Sequence, residues 1–297
     1  MAIGGYGSLL DSEIITIGGG TRVCPKPANL TENTYFGTGG YVAGRPLVCG
    51  ASDTYECRYY SFEQGQWQQE VSLSTIRNGA TSLPLADGTL WITGGRAGVV
   101  DQESTEIYRD GAFAPGPDLF LPRTSHCLVR LNDTHSFLAG GLKDRTNPSP
   151  FARIFNWQTR QWTSAGSLRI GRENHACALI DNPPRVIVIG GRGEDGHTDT
   201  TEVLDLETMT WGMGPKTPGG SWIESAPVIP YMDSFLLVGG KTLSMRKEGE
   251  DGSRSESAEI YQFDVENMEW IEREEQLRSA RYGHVAFAIP NDICEEV

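Results

Sequence analysis

Short apolar runs punctuated by paired glycines dominate the hydropathy pattern. "LWITGG", "SFLAGG", "VIVIGG" and "FLLVGG" each carry four to six apolar or small residues into a glycine pair, at Gly94-Gly95, Gly140-Gly141, Gly190-Gly191 and Gly239-Gly240. Runs of this length bounded by turn residues read as buried strands, and no segment sustains a helical period. The pairs are spaced 46, 50 and 49 residues apart; "PLVCG" at Cys49-Gly50 stands 45 residues before the first, and Gly4-Gly5 another 45 before that. Six copies at such a period predict a propeller or a linear array of repeats.

Other positions keep this register. Trp67, Phe113, Trp162, Trp211 and Trp270 occur once per repeat, with Tyr60, Phe155, Leu204 and Phe263 seven residues before four of them. Ten residues after the first four come Arg77, Arg123, Arg172 and Ser221, and eleven after Trp270 comes Arg281. Three residues further on stand Ala80, His126, His175, Glu224 and His284. Each unit reads as four short strands. A lone unit cannot bury both faces of its sheet, so neighbours must pack face to face around an axis.

These residues resemble the kelch repeat, with its double glycine, spaced aromatic pair and Arg before the inner strand. The resemblance covers nearly the whole chain. It implies an all-β fold, a six-bladed β-propeller formed by residues 1–297 as a single domain. Cys49 for the first glycine of a pair, Phe113 for Trp and Ser221 for Arg are departures that make the blades chemically unequal. After Trp270 the chain supplies an Arg and one inner strand, "YGHVAFAIP", while residues 1 to 24 supply a Gly-Gly, "SEIITI" and "TRVC". The last blade is therefore expected to draw on both termini and to close the ring. Its second strand has three candidate sources: "MAI", residues upstream, or the C-terminal "DICEEV".

Bulk properties narrow the function. Thirty-six glycines and 16 prolines in 297 residues agree with many short strands. A net charge of −14 argues against nucleic acid or an anionic membrane as partner. No apolar run approaches the 18 residues of a membrane span, and the start has neither a charged segment nor a following apolar one of the signal-peptide kind. The six cysteines show no paired CxxC spacing, so no metal site and no cofactor are expected.

In an up-and-down blade, the Gly-Gly exits and the Arg entries emerge at one end. Arg77, Arg123, Arg172 and Arg281 would share that face with Arg96, Arg192 and Lys241, a ring of positive charge on an acidic protein. Such a ring suits an acidic peptide or protein partner, or an acidic carbohydrate. Arginines that recur in the frame also suit a structural role, bonded to carbonyls of the neighbouring blade; Arg96, Arg192 and Lys241 lie outside the frame and are the better ligand candidates. His126, His175 and His284 share one repeat position on different blades, too far apart for one ion, and read as structural. His135 and His197 lie in turns. The stretch 241–257 makes a loop about ten residues longer than its counterparts, either a recognition element or an insertion without consequence.

Cys49 and Cys57 flank a short connection between adjacent strands and are expected to form a disulfide. Cys24 and Cys294 make a second candidate pair, in the closing blade. Cys127 and Cys177 read as small buried apolar residues. The bridge and two sequons, at Asn29 and Asn132, resemble secreted invertebrate kelch-repeat proteins and favour an extracellular glycoprotein; the cytoplasm is the alternative.

The leading expectation is a binding propeller without catalytic residues. A ubiquitin-ligase adaptor would need a longer chain, since no BTB-like segment precedes the blades. The kelch resemblance also admits enzymes: sialic-acid mutarotases, copper-radical oxidases and iron-dependent nitrile specifiers. The specifier motif of Glu, Asp and His at four-residue steps is absent. A mutarotase-like site needs only an arginine to hold a carboxylate and an acid/base such as Glu224, so a sugar-active enzyme of that kind is the alternative.

Overall fold

Val186, Ile187, Val188 and Ile189 show in four residues how this protein is built. The computed structural model, which describes residues 1–18, 22–51, 53–243 and 254–296, buries all four completely. Val186 and Val188 enter one apolar cluster, while Ile187 and Ile189 enter the next. Successive side chains of a strand point to opposite faces, so a strand apolar at every position is buried on both sides. That is the condition of a blade between two others.

Five sheets follow one order, inner strand to outer strand, with antiparallel neighbours throughout. The first contains Thr38–Val42, Arg45–Ala51, Thr54–Ser61 and Gln66–Glu70; the second Thr81–Pro84, Leu90–Thr93, Thr105–Arg109 and Ala112–Pro115. The third contains Cys127–Arg130, His135–Ala139, Phe151–Asn156 and Gln161–Ser167; the fourth Ala176–Ile180, Arg185–Ile189, Thr201–Asp205 and Thr210–Met213. In the fifth, Val228–Tyr231 pairs with Ser234–Leu243, followed by Arg254–Asp264 and Glu269–Glu272. Among the described residues there is no α-helix, and no helix long and apolar enough to cross a membrane.

The sixth blade draws on both termini. Val285–Ala286 pairs with Ala2–Ile3, which pairs in turn with Ser12–Glu13. Of the three sources open for its second strand, "MAI" is the one used. Arg22–Val23 then pairs with Glu295–Glu296, and Cys24 is bonded to Cys294 beside it. Six apolar clusters result, one at each junction between neighbouring blades, with Ile3, Ile14 and Val285 packing toward the first blade and Ala2 toward the fifth. The repeat tryptophans tie consecutive units. The indole N–H groups of Trp67, Trp162, Trp211 and Trp270 donate to Ala28 O, Asp118 O, Ala165 O and Lys216 O at 2.8–3.0 Å.

Cys49 and Cys57 face each other across adjacent strands and are bonded. The expectation for Cys127 and Cys177 needs correction, because these two residues also form a disulfide, between the inner strands of the third and fourth blades. Cys127 follows its frame histidine by one residue and Cys177 by two. An odd difference in offset puts the two side chains on opposite sheet faces. On neighbouring blades, opposite faces are the ones that meet.

Candidate functional site

Three of the frame arginines have no free guanidinium to offer. Arg77, Arg172 and Arg281 are 2%, 0% and 1% exposed. Arg77 donates to Gly94 O and Ser104 O, Arg172 to Gly190 O and Thr200 O, and Arg281 to Gly4 O and Asp11 O. Each also pairs with a buried glutamate: Arg77 with Glu106 at 2.7 Å, Arg172 with Glu202 at 2.6 Å, and Arg281 with Glu13 at 2.8 Å. Arg123 is equally buried and donates to Gly140 O at 2.8 Å. The expected ring of arginines open to a ligand at the mouth is thus corrected: all four are buried. Arg77, Arg172 and Arg281 lock the Gly-Gly exit to the following strand of their own blade, because buried carbonyls there need donors, while Arg123 holds only the exit.

Two residues beyond each frame arginine, the backbone closes a belt around the axis. Phe36 N–H donates to Gly283 O, Gly283 to Ser225, Ser225 to Asn174, Asn174 to Ser125, Ser125 to Gly79, and Gly79 back to Phe36, at 2.8–3.2 Å. All six residues have positive φ, from 52° to 67°. The left-handed backbone turns each N–H and C=O sideways toward the neighbouring blades instead of along its own sheet. The belt also corrects the register of the fifth blade. Since Gly191 N–H bonds Ile223 O as Gly95 bonds Arg123 O and Gly141 bonds Arg172 O, Ile223 and not Ser221 stands in the arginine position. Ala226 stands in that of the histidines, and Glu224 immediately follows the arginine position, aligned with Asn78, Glu173 and Tyr282.

Those aligned residues pair with the residue after each Gly-Gly: Asn78 with Arg96, Thr124 with Leu142, Glu173 with Arg192, Glu224 with Lys241, and Tyr282 with Tyr6. Arg96, Arg192 and Lys241 are therefore gathered at one mouth of the propeller, as their positions predict. From there the chain rises in hairpins, Arg96–Ala97 with Val100–Asp101, Leu142–Lys143 with Asn147–Pro148, and Arg192–Gly193 with Gly196–His197. The fifth-blade strands extend the same way, Lys241–Leu243 against Arg254–Glu256. Residues 244–253 of the long loop lie outside the described residues.

The three cations differ. Arg96 Nε donates to Asp101 Oδ1 at 2.6 Å, and its buried Nη2 has no hydrogen-bond partner among the described residues. Arg192 is exposed. Lys241 Nζ lies 3.5 Å from Glu224 and 4.9 Å from the Tyr282 ring centroid. Glu224 is buried and also lies 3.3 Å from His197 Nδ1, whose ring stacks on Trp222 at 4.0 Å. Burial pushes the Glu173 carboxyl up, partly offset by Arg192, with the Glu224 charge adding to the rise. Beside this charged arc lies an aromatic one. Tyr6 and Tyr35 are 5.8 Å apart, Tyr6 and Tyr282 5.2 Å, and Tyr35 and Phe36 4.1 Å. Burial, followed by a hydrogen bond with Tyr282, raises the Tyr35 hydroxyl well above the ordinary tyrosine range.

The mouth is therefore a surface of mixed chemistry above a closed backbone belt. Glu173, His197, Trp222, Tyr6, Tyr35 and Tyr282 belong to it and were not singled out from sequence. A signal existed for two of them, since Glu173 and Tyr282 directly follow a frame arginine. The frame histidines are buried and structural; His126 Nε2 lies 2.8 Å from Thr93 Oγ1. Among the described residues no three His, Cys, Asp or Glu side chains are grouped to hold a metal.

Comparison with known proteins agrees with this architecture. A 74-residue stretch is 34% identical to an F-box/kelch-repeat protein of Arabidopsis thaliana, and 158 residues are 23% identical to Kelch-like protein 41b of Danio rerio. These stretches are 25% and 53% of this chain, and only 18% and 25% of the relatives' own lengths. The solved structure of YjhT superposes with a TM-score of 0.69 over 84% of this chain and 87% of that one, at 10% identity, which speaks to fold alone. The KLHDC2/KLHL20/DRC7 Kelch-repeats domain matches residues 112–294, and with the glycine pairs, buried arginines and six blades in place, the chain belongs to this kelch-repeat family.

Proposed function

We propose that the chain is a protein-recognition module without catalysis, and that its working surface is the hairpin-bearing mouth, where an acidic segment of a partner docks. The observation that carries this reading is the position of Arg192, exposed beside Arg96 and Lys241 on the one end from which the hairpins project. Val99 and Val100 are 71% and 58% exposed at the tip of the Arg96 hairpin, and Tyr6 is 50% exposed at the same mouth. Apolar side chains held out around a charged centre suit a peptide with acidic and apolar positions. An acidic carbohydrate meets the same cations and offers less to Val99 and Val100.

The test is a peptide and glycan array probed with the intact protein at two salt concentrations. Salt-sensitive capture of acidic peptides supports the reading, and capture of neutral or basic peptides alone overturns it. An oxidising compartment, such as the extracellular space, belongs to this proposal and is supported by the pairing of all six cysteines.

One observation favours the sugar-active alternative. Glu224 has His197 and Lys241 within 3.5 Å at the mouth, a grouping able to exchange a proton with a bound hydroxyl. Anomer exchange of sialic acid, followed by NMR with the protein and with Glu224→Gln, decides it: a rate equal to buffer rejects the enzyme.

A further inference from the structure

The third blade breaks the charge rule of its neighbours. In the second, fourth and sixth blades, the residue paired across the sheet from the position two before the first glycine is a glutamate: Glu106 opposite Ile92, Glu202 opposite Val188, Glu13 opposite Ala2. Each carboxylate receives the frame guanidinium. It also accepts the backbone N–H three residues before that arginine, from Ser74, Arg169 and Arg278 at 2.6–2.9 Å. In the third blade the same position, opposite Leu138, is Arg153.

Arg123 therefore meets a second arginine where its counterparts meet a carboxylate. Its Nε is buried and has no hydrogen-bond partner among the described residues. Both guanidinium groups lie over the Phe120 ring, Arg123 at 4.2 Å and Arg153 at 4.9 Å from its centroid. The N–H of Phe120, the counterpart of those that bind the glutamates, also donates to nothing among the described residues. Burial and then the Arg153 charge lower Arg123 to about 9. Two like charges, one of them almost fully out of water, cost free energy that an anion between them removes.

We propose that Arg123, Arg153 and the Phe120 N–H form a site for a small monovalent anion, chloride or a carboxylate of formate size, which takes the place of the glutamate carboxylate of the other blades. Arg123 is too deeply buried for a bulky anion to reach, whereas Arg153 is half-buried and leaves an entry. The site binds its ion whichever partner occupies the mouth. It joins the third blade's Gly-Gly exit, held through Arg123, to the strand that carries Arg153.

The test compares thermal midpoints at equal ionic strength in sodium chloride, sodium formate and the bulky sodium isethionate. The wild-type protein should melt roughly 2–4 °C higher in saturating chloride or formate than in isethionate, as a ligand of the native state alone requires. Arg153→Glu restores the arginine–glutamate pair and should melt alike in all three salts. Equal wild-type midpoints, or an unchanged response in the variant, overturn the site. Crystals of the wild-type protein soaked in bromide give a reading independent of the variant's folding: an anomalous peak in contact with Arg123 Nε supports the proposal, and its absence there refutes it.

Discussion

Cys24 is bonded to Cys294 across 270 residues of sequence, beside the pairing of Arg22–Val23 with Glu295–Glu296. The covalent bond reinforces a two-residue strand pairing and adds to the closure already made by Ala2–Ile3 with Val285–Ala286 and by Arg281 with Glu13. Cross-linking stabilises mainly by removing freedom from the unfolded chain, and more so for longer loops. The three bridges close separations of 270, 50 and 8 residues. Chain entropy assigns them about 5.6, about 4.1 and about 2.5 kcal/mol in that order. Replacing each pair with serines should lower the denaturation midpoint in the same order, and urea melts of the three variants read it directly. Intact-mass analysis without reductant should find no free thiol.

Removal of residues 1–24 takes away Ala2–Ile3 and Ser12–Glu13, leaving Val285–Ala286 unpaired and the apolar flanks of the first and fifth blades uncovered. Bare edges and apolar faces associate. The truncated chain should aggregate or lose its cooperative melt, seen by size-exclusion chromatography and calorimetry. A monomer with the original midpoint would show that the two ends do not complete one blade.

Arg172→Ala strands Glu202, 1% exposed, without its guanidinium and leaves Gly190 O and Thr200 O short of a donor. Breaking such a buried pair costs about 3–5 kcal/mol. Arg77→Ala and Arg281→Ala should behave alike, and chemical denaturation gives the numbers. If any of them left stability intact while abolishing binding, that arginine would be a ligand contact after all.

Stability should fall on acidification from pH 7. Burial holds His175 and His284 at about 3 and His126 well below its ordinary value, each pushed further by its frame arginine. The unfolded chain takes up these protons near pH 6.5, while in the folded chain His175 and His284 do so only near 3 and His126 well below its ordinary value. Between those values the unfolded state binds more protons, so each histidine removes up to about 1.4 kcal/mol per pH unit as pH drops. Denaturation midpoints from pH 7.5 to 5 should show this slope, and His175→Gln should reduce it.

Arg192→Ala should leave the melt nearly unchanged, whereas Arg96→Ala strips the largely buried Asp101 carboxylate of its guanidinium and should also cost stability; the double variant should weaken capture of an acidic partner, with a smaller salt dependence than the wild type. Arg192 is exposed, and exposed charge pairs are screened beyond about 8 Å at physiological ionic strength. Equal binding by both proteins would move the working surface elsewhere.

Legibility in sequence followed the strength of the local constraint. Gly-Gly must bend the chain at positive φ, as at Gly94 and Gly95 (60° and 88°), and a strand buried on both faces must be apolar throughout. Both demands fall on single residues and recur around the ring, with Cys49 the one departure from the glycine pair, so the blade number and the sharing of the sixth blade by both termini could be read directly, while the source of its second strand could not. The burial of Arg77, Arg172 and Arg281 depends on glutamates about 30 residues away, or 268 in the case of Glu13, and spacing alone does not reveal a partner at that distance. Two residues displaced in the fifth blade were enough to misplace Glu224, because the belt that fixes the register is made of backbone groups that any side chain permits. The Cys127–Cys177 bridge escaped for a related reason: the facing of neighbouring sheets, decided only when the ring closes, determines which strand faces meet. Sequence specifies the strands of each blade, since the patterns that make them are local; the buried arginine–glutamate pairs, the contacts between the blades, and the mouth they share belong to the closed ring.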